Sequence, residues 1–311
     1  MSLDDLRRKI DLIDYEIVKL LNERMEHVLR LKRLKGSIVD PVREEQVVRN
    51  VRRFSGNLIN PDFVERLYRA IMEESRSIQE RDAMVIGVQG DHGAYSELAA
   101  ITYDRALIPI PCAAFADVFG GVAARQLDFG VVPVENFLEG SITQVTDLLM
   151  AVDLNIIGEV SMSIHHFLLT LPETEPDDIR TVLSHPQAIA QCRGFIEDKR
   201  FVAQPFYDTA GAARMLSEQR PAATAVIASS LCGELYNLKA VAAHIEDHQS
   251  NTTRFIVVSR EAGKEPGDKC SLMFSAAHEA GSLSDMLRIF SEARVNLTRI
   301  ESRPVREDPD Q

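Results

Sequence analysis

The sequence predicts a multidomain protein. An all-α three-helix segment covers residues 1–82, a two-lobed α/β segment 83–260, and a partial α+β unit 269–311. Three observations predict it. A long apolar seam with spacings of three and four opens the chain. Short apolar runs then alternate with helical stretches. After a polar linker at 261–268, a strand–helix–strand pattern closes the sequence.

In the first segment the seam is Leu3, Leu6, Ile10, Ile13, Ile17 and Leu20, the rhythm of a helix packed on other helices. The next seam position is Arg24, and Lys35 lies eleven residues further on. At about 100° per residue the two cations fall within about 20° of each other on one face. Arg24 alone reads as a structural ion pair or a snorkelling side chain. With Lys35 beside it, an anionic ligand is the better reading, because an unpaired cation in a packed seam is costly. Gly36 should end this helix, Asp40-Pro41 should open a second over 42–54, and Asn60-Pro61 a third that ends near Arg81. A first helix about 50 Å long cannot bury its seam against two shorter ones, so a homodimer packed along these helices is expected.

In the second segment, strands are expected at 84–89, 129–133, 156–171 (one strand or two), 181–184, 201–207, 223–228 and 255–259. Helices are expected between them, at 96–103, 115–125, 142–151, 186–196, 210–218 and 230–236. The stretch 156–171 falls mid-segment and suits a crossover between two lobes with a ligand cleft between them. In the third segment, 269–277 and 296–301 read as strands and 283–294 as a helix. Some 40 residues hold too little core for a full domain, so this segment is expected to be the first half of one.

Composition narrows the function. The formal net charge is −12, with residues 1–82 near neutral and the acidity in the remainder. Such a chain is a poor nucleic-acid binder. No apolar run is long enough to span a bilayer, and the charged N-terminus is no signal peptide. Cys112, Cys192, Cys232 and Cys270 form no CxxC pair and suit a reducing cytoplasm. No His/Cys/carboxylate cluster has metal-ligand spacing, and His165-His166 sits in a strand pattern. No metal or cofactor is expected.

Residues 1–82 resemble the all-helical chorismate mutase domain. The matches are Arg7 in Leu-Arg-Arg-Lys-Ile, Arg24 in Asn-Glu-Arg, Lys35 in Leu-Lys-Arg-Leu-Lys, Glu44 in Pro-Val-Arg-Glu, and Ser75 and Gln79 on the third helix. The resemblance implies that Arg24 and Arg7 hold the carboxylates of chorismate, with Arg7 supplied by the partner subunit, and that Lys35 and Gln79 face the ether oxygen. Glu44 and Ser75 would complete the substrate contacts. Ser75 and Gln79 share a face as an i,i+4 pair. Arg7 is turned roughly 100° from Arg24 on the same helix. Val47-Val48 stand where family members often carry Arg-Glu, which puts the binding of the substrate hydroxyl in question.

The second segment resembles prephenate dehydratase through five motifs in the family's order. These are Gly-Asp-His-Gly-Ala-Tyr-Ser ending at Ser96, Val-Pro-Val-Glu-Asn-Phe with Glu135 and Asn136, Ser-His-Pro-Gln from Ser184, Asp-Thr-Ala-Gly with Thr209, and Asn-Thr-Thr-Arg-Phe with Thr253 and Arg254. The resemblance implies that Thr253 helps the ring hydroxyl of prephenate to leave, by donating a hydrogen bond. It places Ser96, Glu135, Asn136 and Thr209 on the substrate. Arg254 divides evenly between binding a carboxylate and a buried ion pair. Phe137 departs from the family's serine or threonine. The third segment resembles the first half of an ACT regulatory domain, with Gly281, Ser282 and Leu283, then Glu301 and Ser302, as contacts for a phenylalanine effector; a half-domain would respond to it weakly. The whole chain is thus similar to the bifunctional chorismate mutase/prephenate dehydratases of phenylalanine synthesis. Two rivals stand beside this reading: a phenylalanine-sensing regulator with one or both sites decayed, and a solute-binding module with two lobes around a cleft.

Overall fold

In the N-terminal segment the three helices start where the capping chemistry puts them. α1 spans Leu3–Leu34, α2 Pro41–Phe54 and α3 Pro61–Glu80. Asp40 caps α2 by accepting from the Arg43 N–H, and Asn60 caps α3 by accepting from the Asp62 N–H. Each is followed by proline at the first turn, where no N–H is missed. The computed structural model describes residues 3–34, 39–56, 58–81, 83–138, 140–248, 250–263, 267–276 and 279–302. Lys35 and Gly36 therefore lie outside the described residues. Along α1, Leu3, Leu6, Ile10, Ile13, Ile17 and Leu20 are 43–63 % exposed within one chain. Among the described residues no helix is long and apolar enough to cross a membrane.

The α/β segment contains two sheets. Its first elements are β1 (Val85–Gln89), α4 (Tyr95–Tyr103), β2 (Ile108–Cys112), α5 (Phe115–Ala123), β3 (Phe129–Asn136), β4 (Gly140–Ser141), α6 (Thr143–Ala151) and β5 (Asn155–Ser163). Then come β6 (Phe167–Thr170), β7 (Thr181–Ser184), α7 (Pro186–Gln191), α8 (Arg193–Lys199), β8 (Val202–Pro205), α9 (Thr209–Gln219), β9 (Thr224–Ala228), α10 (Ser230–Leu235), β10 (Lys239–Ala243) and β11 (Thr252–Ser259). The first sheet runs β2-β1-β3-β11-β5 with β4 against β3, and the second β10-β6-β9-β7-β8. The chain crosses from the first sheet to the second over residues 164–166 and returns over 244–251. The long apolar run at 156–171 is thus two strands with the crossover between them. Two sheets joined by two crossovers make up the two lobes expected of this segment.

Three strands, β2, the two-residue β4 and β10, lie where the sequence reads as connecting chain. Pro109 and Pro111 mask β2, but β2 is an edge strand, where a missing N–H is tolerated. β10 is alanine-rich and also at an edge. The helix expected at 186–196 is broken at Cys192 into α7 and α8.

The mutase-like helices and both lobes form one compact unit, Met1–Pro266. α1 docks on the lobes directly. Leu29 is buried in the same cluster as Val85, Ile110, Val118 and Ile256. Arg33 pairs with Asp128, whose carboxylate also accepts from the Val85 N–H. Tyr15 donates to the Leu235 carbonyl at 3.0 Å, and Lys19 pairs with Glu218.

The second unit, Gly267–Gln311, contains one helix among the described residues, α11 (Ser282–Glu292), entered through Gly281 at φ +99°. The strands expected at 269–277 and 296–301 are not formed over their described parts. A helix satisfies its backbone internally, whereas a strand needs a neighbour, and none of the described residues provides one.

Candidate active sites

The first cleft, about 600 Å³ in volume, opens between α1, α2 and α3. Arg24, Ser75, Gln79, Glu44 and Val47 all line it. Arg24 Nη1 donates to the Ser75 hydroxyl, which in turn donates to the Ile71 carbonyl at 2.7 Å. Gln79, 7 % exposed, is fixed by donating Nε2 to the Val28 carbonyl at 3.1 Å. The i,i+4 spacing thus brings both polar groups of α3 to one wall opposite Arg24. Arg76 Nη1 donates to both carboxylate oxygens of Glu44, at 2.7 and 2.9 Å, an arrangement the sequence did not suggest. Val47 is apolar wall where a charged pair was the alternative. His27, Arg30 and Arg43 add basic character. Arg30 Nη2 donates to the Pro111 carbonyl at 3.0 Å, while its buried Nε has no partner among the described residues. Arg7 lies seventeen residues from Arg24 along α1, is exposed, and does not line this cleft.

The second site lies between the lobes, where β11 pairs with β3. Thr253 is opposite Asn136 in that register, and Arg254 opposite Glu135. Successive residues of a strand face opposite sides of the sheet. Thr253 and Asn136 are therefore on one face, and Arg254 and Glu135 on the other. Thr253 and Asn136 are buried at 6 % and 5 % exposure. Asn136 Nδ2 donates both its protons, to Asn251 Oδ1 at 2.7 Å and to Thr253 Oγ1 at 2.8 Å. The Thr253 hydroxyl is thus held as an acceptor, and its own proton has no acceptor among the described residues. Arg254 pairs with Glu135 at 3.2 Å and Glu159 at 3.4 Å and is about a third exposed. The ion-pair reading of Arg254 fits this geometry, as a surface cluster and not a buried one.

Behind Thr253 runs a polar chain that sequence reasoning missed. Asn251 Nδ2 donates to Gln191 Oε1 at 3.1 Å, which also meets His166 Nε2 at 2.8 Å. The glutamine oxygen needs a donor, so the ring proton sits on Nε2, and Nδ1 accepts from the Tyr95 hydroxyl at 2.7 Å. Burial holds His166 below the ordinary histidine range, leaving it neutral near pH 7. The detectable signal was a histidine in an otherwise apolar run, set aside as strand.

Ser96 and Thr209 occupy the first turns of α4 and α9 and are buried. The loops before these helices touch across the lobes: Asp208 Oδ2 accepts from the Asp91 N–H at 3.3 Å and the Gly211 N–H at 3.0 Å. Burial raises Asp208 above the ordinary aspartate range despite these donors. Gly93, at φ +90°, lies so close to α10 that a Cβ would meet Cys232 Sγ at 2.5 Å. His92 joins this loop to α1, with Nε2 2.8 Å from Glu26 and Nδ1 3.1 Å from Glu97. Burial disfavours the charged ring, but the two carboxylates outweigh it and push its pKa up to about 10.

Residues 6–80 match the type II chorismate mutase family and residues 86–263 the prephenate dehydratase family. A bifunctional chorismate mutase/prephenate dehydratase of Neisseria gonorrhoeae is 36 % identical over 97 % of this chain and 86 % of its own length. This chain belongs to the bifunctional chorismate mutase/prephenate dehydratase family. Among solved structures, the prephenate dehydratase of Arthrobacter aurescens in complex with L-Phe is 30 % identical, with a TM-score of 0.61 over 71 % of this chain and 76 % of that one. A chain described as GqqA, a novel type of quorum quenching acylase, is also 30 % identical, with a TM-score of 0.62 over 71 % of this chain and 82 % of its own. The order of the family domains is the order of the two sites along the chain.

Proposed function

We propose that the two sites divide the two activities of the family between them. The chain is a chorismate mutase and prephenate dehydratase of phenylalanine biosynthesis, with the mutase over 1–82 and the dehydratase over 83–260. In the first cleft, Arg24 holds a carboxylate of chorismate, and Lys35 and Gln79 face the ether oxygen. Ser75 sets the Arg24 guanidinium, and Glu44 lies on the substrate's hydroxyl side. The rearrangement breaks one C–O bond and forms one C–C bond within a single molecule. Restraint of the reactive conformer and stabilisation of charge at the breaking bond are sufficient. Arg7 enters from a partner subunit. The exposed α1 seam supports this, being a self-complementary apolar stripe of the kind a two-fold interface covers.

Between the lobes, the buried first turns of α4 and α9, with Ser96 and Thr209, are suited to the carboxylates of prephenate. The C–CO2 bond breaks, its electron pair moves through the ring, and the ring hydroxyl departs as water with one proton taken up. Thr253 assists that departure with the O–H left uncommitted by Asn136. That single observation carries the dehydratase assignment. Glu135 and Arg254 support the site from the opposite face of the sheet. No group in the scheme requires a cofactor. We assign residues 269–311 to an ACT-like regulatory role, with Gly281, Ser282, Leu283, Glu301 and Ser302 as phenylalanine contacts; the L-Phe complex of the Arthrobacter enzyme supports that effector.

The rival is a phenylalanine sensor with decayed sites, favoured by Val47 in the cleft wall and by Phe137, 70 % exposed beside Asn136. Supplying chorismate and following prephenate and phenylpyruvate together separates the readings. Appearance of both products supports catalysis at each site; binding of phenylalanine with neither product formed supports the sensor.

A further inference from the structure

The two crossovers between the lobes bring together three groups that the sequence keeps far apart. His165 lies on the outgoing crossover, and His244 and Glu246 on the returning one, 81 residues later for Glu246. Each offers one ligand atom, and the three atoms lie within 4.8 Å of one another. We propose that His165, His244 and Glu246 bind a divalent transition-metal ion, zinc by preference, at the hinge between the lobes.

The distances suit such an ion. Glu246 Oε1 is 2.8 Å from His165 Nδ1 and 3.7 Å from His244 Nδ1. Two ligands of a tetrahedral zinc ion, each about 2.0–2.2 Å from it, are roughly 3.3–3.6 Å apart. These two separations bracket that value and the two histidine ligand atoms lie within 4.8 Å of each other, so side-chain rotations complete the set. The Glu246 side chain is 1 % exposed, while those of His165 and His244 are 38 % and 54 % exposed. The carboxylate is the floor, the imidazoles form the rim, and the fourth position is left to solvent, as in three-ligand zinc sites.

The surroundings hold the ligands in place. Glu246 Oε2 accepts from the His166 N–H at 2.9 Å. Such an outer partner aims a metal ligand. His244 adopts φ +53°, a left-handed conformation that non-glycine residues seldom take. It turns the ring to 4.4 Å from that of His165. Two imidazoles with one carboxylate favour zinc and its neighbours over magnesium or calcium, which prefer all-oxygen sets. The mutase and dehydratase schemes use none of the three residues.

Zn2+ alone, titrated into metal-free full-length protein by calorimetry, should bind at about one ion per chain. Loss of a direct ligand exceeds the roughly 10–100-fold cost of losing an outer partner. His165→Gln and His244→Asn should therefore each weaken binding by on the order of 100-fold, and asparagine keeps the left-handed backbone accessible at 244. Cys270→Ser, which removes an exposed thiol, should leave affinity unchanged. Zn2+ should also slow hydrogen exchange at residues 164–167 and 244–248 in the wild type and in neither histidine variant. Undiminished binding by folded histidine variants, loss of binding in Cys270→Ser, or unchanged exchange at both crossovers would overturn the proposal.

Discussion

Thr253→Val tests the dehydratase assignment most sharply, because valine keeps the shape and removes only the hydroxyl. Two effects follow from the geometry. Asn136 Nδ2 loses the acceptor at 2.8 Å and keeps the one at 2.7 Å. One buried N–H is then unsatisfied, which costs about 1–3 kcal/mol of stability. The second effect is kinetic. A preorganised donor to a developing charge accounts for about 10²–10³ in kcat, and it acts on the departing hydroxyl, so KM for prephenate should change little. Thr253→Ser keeps both roles and should stay within about tenfold of the wild type. Urea unfolding measures the first effect, and steady-state phenylpyruvate formation from supplied prephenate measures the second. Mutase turnover in the same preparation reports whether the protein is folded. An unchanged kcat in Thr253→Val would refute the role of the hydroxyl. A fall in kcat matched by an equal fall in mutase turnover would reduce Thr253 to a structural residue.

Arg24→Ala should lower mutase turnover on the order of 10²–10³ or more, while dehydratase activity on supplied prephenate survives; parallel loss of both would mean a folding role. Arg7→Ala and Arg24→Ala chains, each inactive as mutase, should regain part of the activity after subunit exchange, since a mixed dimer holds one site with both arginines; proven exchange without recovery would place each site within one chain. His92→Gln should destabilise the protein by about 1–3 kcal/mol in a pH-dependent way. The folded pKa of His92, about 10, lies above the ordinary histidine value of 6.5. The wild-type advantage is therefore complete below about pH 6.5 and fades as pH rises toward 10. Unfolding of both proteins at acid and alkaline pH checks this, and a pH-independent difference would rule out the charged ring.

Local chemistry was legible in the sequence, and long-range pairing was not. Asp40-Pro41 and Asn60-Pro61 place two helix starts because caps act within four residues. Central strands such as β9, buried along its whole length, carry their own apolar signature. Edge strands β2 and β10 do not, because packing on one side leaves proline and alanine acceptable there. In the third segment, apolar runs that look like strands find no neighbour among the described residues to make them so. Ser75 and Gln79 share a wall as their helical spacing implied, and Arg24 meets them from another helix, which only the family resemblance suggested, while the Arg76 clamp on Glu44 had no sequence signal. Asn136 and Thr253 were found through separate motifs. Their hydrogen bond spans 117 residues, and only the register of β3 against β11 reveals it. That same register separates Glu135 and Arg254 from them, which strand parity alone could have suggested.

The docking of α1 bears on how such an enzyme can be taken apart. Leu29 fills part of the first lobe's interior, Arg33 neutralises Asp128 at the base of β1, and Tyr15 and Lys19 reach the second lobe. A cut near residue 82 would deliver a dehydratase with a hole in its core and an uncompensated acid beside it. The mutase would be left with a helix greasy on one side and stripped of its partners on another. Gene fission in this lineage would have to be followed by resurfacing of both fragments, and a fused chain that loses one activity still has a reason to keep that activity's first helix.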